Sequence, residues 1–277
     1  MNQSKSQHQE EINSRNRFEF GENWKNYLDQ FDDNRLLEAE ASLKKMFELD
    51  SMPDKTFLDI GSGSGLFSLA ARNLGAKVVS VDYDSSSVHC AETLKNRFYK
   101  DDKNWLIYEG SAIDEEFMKA LGEFDFVYSW GVLHHTGQMW NALDYISGNV
   151  KTGGKLFIAL YNDQGRRSKI WTITKKTYLS LPRILRFVVV LPCLIGLWGP
   201  ATLRDFVVMK PFATWRNYNR NRGMSAYRDL IDWVGGYPFE VAGPEEIISF
   251  YTKRGFTLIK ITTCGGGHGC NEYVFNS

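Results

Sequence analysis

Residues 57–65 read FLDIGSGSG, an apolar run that ends in a carboxylate and three alternate glycines. This is the pattern of a buried strand that turns sharply, with the glycines removing side chains so that backbone can approach a ligand. A turn of this kind, opening onto a helix N-terminus, can hold a dinucleotide, a nucleotide phosphate or a sulfonium nucleoside. The spacing is G-x-G-x-G, whereas a dinucleotide fingerprint needs G-x-G-x-x-G and Leu66 stands at its last position. The Gly-Lys-Ser/Thr of a phosphate loop is absent as well.

Working outward, the chain alternates between buried strands and helices. LFSLAARNLG (66–75) reads as a helix stopped by Gly75, KVVSVDYD (77–84) as the next strand, and Ser85–Tyr99 as a helix. NWLIYEG, FDFVYSW and KLFIALY continue as strands, with a helix from about Gln138 to Val150 before the last. Pro244 opens a helix, PEEIISFYTKRG, and FTLIKIT and NEYVF follow as closing strands. The expected fold is α/β, a Rossmann-like, seven-stranded, mostly parallel sheet with helices on both faces. A largely helical insertion precedes the closing helix and strands.

Upstream, Asn34 is placed to cap a helix with Leu36, Ala39, Leu43, Met46 and Phe47 on one face, and residues 1–17 are polar and read as a flexible start. Four parts are therefore expected: 1–33, a flexible start with an aromatic lid; 34–162, the cofactor-binding core; 163–243, a basic acceptor-binding insertion; and 244–277, the closing helix and strands. The net charge of zero hides an asymmetry. From Gln164 to Gly223, twelve Lys or Arg residues face the single acidic Asp205, a net +11. The apolar run FVVVLPCLIGLW (187–198) is shorter than the ~20 residues a bilayer crossing needs. The four cysteines, Cys90, Cys193, Cys264 and Cys270, have no pairing pattern, and no signal segment is apparent, so a cytoplasmic protein is expected, membrane association being the alternative.

Two carboxylates decide the ligand. Asp59 precedes the turn, where it can accept from an ammonium group, and Asp82 ends the second strand, where it can accept from ribose hydroxyls. An adenosine carrying an amino acid satisfies both. At this point the chain resembles the class I S-adenosylmethionine-dependent methyltransferases, and among them the ubiquinone-biosynthesis-type O-methyltransferases. LDIGSGSG matches their first motif, VDYD the second, EGSAID the third, FDFVYSWGVLHHT the fourth, and GGKLFIALYN the strand after it. The resemblance covers residues 34–162 well and the end of the chain more loosely. It implies S-adenosylmethionine as cofactor, with Asp59, Gly61, Ser62, Gly63 and Gly65 at the methionine portion and Asp82 and Tyr83 at the ribose. Ser111 and Ala112 would border the adenine and Trp130 would lie beneath the cofactor. Ser111 departs from the acidic residue many members carry, and Asp114 is a substitute.

Methyl transfer is an in-line displacement, and a hydroxyl acceptor also needs a base. His134 and His135 follow the fourth strand, and the resemblance favours His135, with His268 in TCGGGHGCNEY a further candidate. Cys264, His268 and Cys270 have no metal-site spacing, and no metal is expected. Acceptor contacts are expected from Trp24 and Tyr27 in an aromatic lid, from Tyr161, Asn162, Arg166 and Arg167, and from Trp233 and Tyr237. The leading expectation is O-methylation of a small or lipid-linked anionic acceptor, the basic apolar insertion touching a membrane. The alternatives are RNA, since WRNYNRNR (215–222) interleaves aromatics with arginines, a nitrogen or sulfur acceptor, and a non-catalytic binding protein.

Overall fold

The computed structural model describes residues 10, 14, 17–18, 33–216, 226–265 and 269–277. The chain begins with α1 (Asp33–Phe47), β1 (Thr56–Ile60), α2 (Leu66–Asn73), β2 (Lys77–Asp82), α3 (Ser85–Phe98), β3 (Trp105–Glu109), α4 (Glu115–Leu121) and β4 (Phe124–Trp130). A 3-10 turn (Leu133–His135), α5 (Met139–Ser147) and β5 (Val150–Tyr161) complete the first part. Then come α6 (Arg166–Ser180), a second 3-10 turn (Arg183–Leu185), α7 (Phe187–Val207), α8 (Ala226–Gly235), α9 (Pro244–Thr252), β6 (Thr257–Thr262) and β7 (Cys270–Asn276).

The seven strands form one sheet in the order β3-β2-β1-β4-β5-β7-β6, in which only β7 runs antiparallel to its neighbours. In the central strands β1, β4 and β5 consecutive residues are apolar because both faces are covered, whereas the edge strands β3 and β6 are partly exposed. Phe57 and Phe157 face a layer that contains Leu43, Leu69 and Leu94, and Leu58, Leu156 and Ile158 face one that contains Leu143, Ile247 and Tyr251. The chain winds outward from β1 to β3, then returns to place β4 on the other side of β1. The carboxyl ends of β1 and β4 therefore border the crevice where a doubly wound sheet binds ligands.

Local chemistry sets the element ends. Asp84 caps α3 by accepting from Ser86 N, Asp114 caps α4 by accepting from Phe117 N, and Gly75 sits just past α2 at φ +102°. Asn34, expected as a cap, lies one residue inside α1, which opens on Asp33. The insertion has its own small core of Tyr178, Leu179, Val190, Leu230 and Val234, contributed by α6, α7 and α8. One expectation is corrected. The apolar run at 187–198 does not end at Trp198; GPATLRDFV extends it into a 21-residue helix, and with the preceding turn the stretch Arg183–Val207 has the length and composition to cross a membrane.

The return from the insertion is fastened to the core. Glu240 N donates to His134 O, Ala242 N to Tyr161 O, and Asp163 N to Ala242 O. Residues 237–242 thus run along the carboxyl end of β5 beside the histidine turn.

Candidate functional site

On the β1 side of the crevice Gly61, Gly63 and Gly65 all adopt positive φ, at +74°, +54° and +81°. A Cβ on Gly61 would lie 2.3 Å from the Val132 side chain, so the loop lies flat under the residue that leads into the histidine turn. Gly61 N and Ser62 N donate to Val81 O, while Gly63 N donates to Asp82 Oδ2 at 2.8 Å and Asp84 N to Asp82 Oδ1 at 2.9 Å. The Asp82 carboxylate therefore ties the glycine loop to the end of β2. The Ser62 hydroxyl is buried with no hydrogen-bond partner among the described residues. A glycine cradle with an orphaned donor at its tip fits an amino-acid-bearing nucleoside, which brings the missing acceptor.

Beneath the loop, Trp105 Nε1 donates to Ser80 Oγ, Ser80 Oγ to Ser68 Oγ, and Ser68 Oγ to Asp59 Oδ2 at 2.5 Å. Burial, with a smaller push from Asp82, raises the Asp59 carboxyl to about 7 against the lowering effect of Ser68. Farther along, Ser111 Oγ accepts from Ile113 N, Ala112 is buried, and Asp114 is engaged as the α4 cap. Trp130 is 49% exposed, and its Nε1 donates to Glu272.

Across the crevice the 3-10 turn holds both histidines out of solvent. His135 Nδ1 lies 2.6 Å from Pro238 O, and since a carbonyl only accepts, Nδ1 carries the proton and Nε2 is the basic nitrogen. His134 Nδ1 accepts from Tyr161 N at 3.4 Å, which puts its proton on Nε2, a buried atom with no partner among the described residues. Burial lowers both histidines, His135 to about 3, with the Lys175 and His135 charges adding to the effect on His134 and the Lys175 charge to that on His135. Both are neutral at pH 7.

The histidines abut an aromatic cleft lined by Tyr161, Asn162, Gln164, Ser168, Trp171, Trp233, Phe239 and Gly269. The Tyr161 ring lies 3.8 Å from that of His134 and 5.3 Å from those of Trp233 and Phe239, centroid to centroid. Behind the cleft Lys175 is fully buried, donates to Trp233 O and lies 4.8 Å from both the Trp233 and Phe239 rings. Burial lowers it to about 7, against the raising effect of Cys193 and Asp232. Glu240 caps α5 from outside, accepting from Met139 N.

The two rims are bridged by a residue the sequence reading left in the flexible start. Arg17 donates to His135 O and Thr136 O, and its guanidinium sits 5.2 Å from the Tyr83 ring. Phe18 N donates to Tyr237 O, which staples this segment to the insertion. Of the expected site residues, the glycines, Ser62, Asp59, Asp82 and Tyr83 converge on one rim, and His134, His135, Tyr161, Asn162 and Trp233 on the other. Arg166 and Arg167 are exposed at the first turn of α6, and Lys176 rather than a ligand group faces the Tyr237 ring. Trp24, Tyr27 and His268 lie outside the described residues. Among the described residues no cluster of His, Cys, Asp and Glu is arranged to hold a metal ion.

Comparison with known proteins identifies the family. A family model described as a methyltransferase domain matches residues 31–188. The tRNA U34 carboxymethyltransferase of Actinobacillus succinogenes is 26% identical over 67% of this chain and 56% of its own length. The ubiquinone biosynthesis O-methyltransferase of Parvibaculum lavamentivorans is 30% identical over 49% of this chain and 53% of its own. The chain thus spans about half the length of these curated relatives. Among solved structures, magnesium protoporphyrin IX methyltransferase from Synechocystis, with bound S-adenosylhomocysteine, superposes with a TM-score of 0.52 at 11% identity, covering 87% of this chain and 82% of that one. At that identity the likeness is one of fold.

Proposed function

Because the chain belongs to the methyltransferase-domain family, we propose that it transfers a methyl group from S-adenosylmethionine to an oxygen of a small or lipid-linked anionic acceptor. The observation that carries this reading is the His135 tautomer, with Nδ1 held by Pro238 O, which leaves Nε2 the basic nitrogen of a ring standing edge-on 5.4 Å from that of Tyr161 in the cleft wall. Gly61, Ser62, Gly63, Gly65 and Asp59 would hold the methionine portion, Asp82 and Tyr83 the ribose, and Ser111 and Ala112 the adenine edge. S-adenosylmethionine supplies an electrophilic methyl on a sulfonium whose departure leaves a neutral thioether.

The chain's own residues do the rest. Tyr161, Trp233 and Phe239 orient the acceptor and exclude water, and His135 Nε2 takes the hydroxyl proton as the new carbon–oxygen bond forms. A base held at about 3 by burial and by Lys175 takes a proton poorly. An anionic acceptor offsets the Lys175 charge and pulls His135 upward, which supports an acidic acceptor over a neutral one.

The second reading is a transfer to RNA, supported by the basic insertion and by the tRNA-directed relative. For the acceptor and its place in the cell, peripheral contact of a cytoplasmic enzyme with a membrane belongs to the first reading. Labelled-methyl transfer from S-adenosylmethionine into fractionated cell extract, with mass identification of the product, tests the choice. A methyl ether or ester of an acidic small molecule or lipid supports the first reading, label in tRNA the second, and cofactor binding without any transfer contradicts both.

A further inference from the structure

We propose that α7 and the turns flanking it form a docking surface for an anionic lipid bilayer and lie in the membrane plane. The inference builds on the lipid-linked reading of the acceptor. The inner stripe of α7, with Val190, Cys193, Leu194 and Leu197, packs on α6 and α8. The outer stripe is equally apolar and is not covered by any of the described residues, Val188, Leu191 and Ile195 being 55%, 53% and 62% exposed. A helix apolar all round belongs in a core or in lipid, and here only Val190 and Asp205 of its residues are buried. More than half of the exposed large apolar side chains among the described residues fall between 184 and 212.

Charge selects the occupant. Lys169 and Lys176 on α6, Arg183 in the turn before α7, Arg204 in its last turn and Lys210 just after it are all exposed. Between residues 164 and 216 the one acidic residue, Asp205, is buried, accepting from Thr214 N and Oγ1. A second copy of this face would set the same basic rim against itself, while anionic headgroups complement it. Topology selects the orientation. The helices before and after α7 pack on each other through Tyr178, Leu179, Leu230 and Val234, so both ends of α7 return to one body. A single crossing would put α6 and α8 on opposite sides of the bilayer. The helix α6 carries Ser168 and Trp171 into the acceptor cleft while Ile170 and Ile173 stand outward at 62% and 66% exposure, which sets the cleft beside the lipid-facing surface.

Co-sedimentation of the full chain with vesicles tests this. Vesicles of phosphatidylcholine with about a quarter phosphatidylglycerol are expected to carry down about tenfold more protein than phosphatidylcholine alone. Leu191→Glu with Ile195→Glu is expected to abolish that difference while leaving the thermal midpoint and S-adenosylmethionine affinity unchanged. Val207→Glu with Met209→Glu, at the far end of the helix, is expected to do the same, so the result does not depend on one variant folding. Equal sedimentation with both vesicle types, or unimpaired sedimentation of both variants, overturns the inference. So does a wild-type dimer in light scattering that the variants dissolve, which would make a second copy the occupant. Methyl transfer into extract is measured separately: transfer without vesicle binding removes this inference alone, and vesicle binding without transfer removes the proposed reaction alone.

Discussion

On the glycine-loop rim burial pushes the Asp59 carboxyl up to about 7, and on the histidine rim it pushes His135 down to about 3 and Lys175 to about 7. The same loss of water acts on an acid and on bases and drives both toward their neutral forms. Under the proposed reaction a cationic cofactor at the glycine-loop rim and an anionic acceptor at the histidine rim would each shift the neighbouring group back toward its charged form. Their stability linkages also run in opposite directions. Asp59, raised in the folded state, stabilises the ligand-free protein at low pH and loses that contribution as pH rises through about 7; His135, depressed, contributes at neutral pH and loses it as pH falls from about 6.5 toward 3.

The largest break in this comparison should come from the basic rim. His135→Ala is expected to lower turnover about 10²- to 10⁴-fold, the range for losing a general base, with S-adenosylmethionine affinity nearly unchanged. Equal losses in both would make the residue structural. Next, Asp82→Asn, on the acid rim, is expected to weaken cofactor affinity about 10- to 100-fold in calorimetry, since it removes a charged acceptor that also holds Gly63 N. Little change would place the ribose elsewhere. Lowering the pH from 7 to 6 is expected to weaken cofactor binding by up to about tenfold, as Asp59 takes up the proton that the ligand must displace. Arg17→Ala, which removes the bridge between the rims, is expected to have the smallest effect, a few-fold rise in KM for the acceptor with kcat less affected.

The acid rim was legible in the sequence and the basic rim largely was not. FLDIGSGSG and VDYD are local, and positive φ at Gly61, Gly63 and Gly65 leaves a run of alternate glycines that is visible in the sequence. The central strands were legible because two covered faces force consecutive apolar residues. Ser68, Ser80 and Trp105 sit on three different elements, so their chain to Asp59 exists only in the folded sheet. Lys175 hid among the basic residues of its segment. Its signal was position, since it shares one face of α6 with Ser168, Tyr178 and Leu179. The group that fixes the His135 tautomer is the backbone carbonyl of Pro238, which has no side-chain signature at all. Arg17 looked like the end of a polar tail because nothing near it in sequence is apolar until Phe18. The reach of α7 was missed because the unbroken apolar run ends at Trp198, although the helix continues through Gly199 and Pro200 to Val207.

The pairing of a neutralised acid with a cationic ligand is tested most directly by proton release on cofactor binding. Titration calorimetry with S-adenosylmethionine at pH 6.5, repeated in buffers of different ionisation enthalpy, reads the protons exchanged. The account predicts a net release of up to about three-quarters of a proton as Asp59 ionises, abolished in Asp59→Asn. Binding with no release, or a release that survives Asp59→Asn, would contradict it.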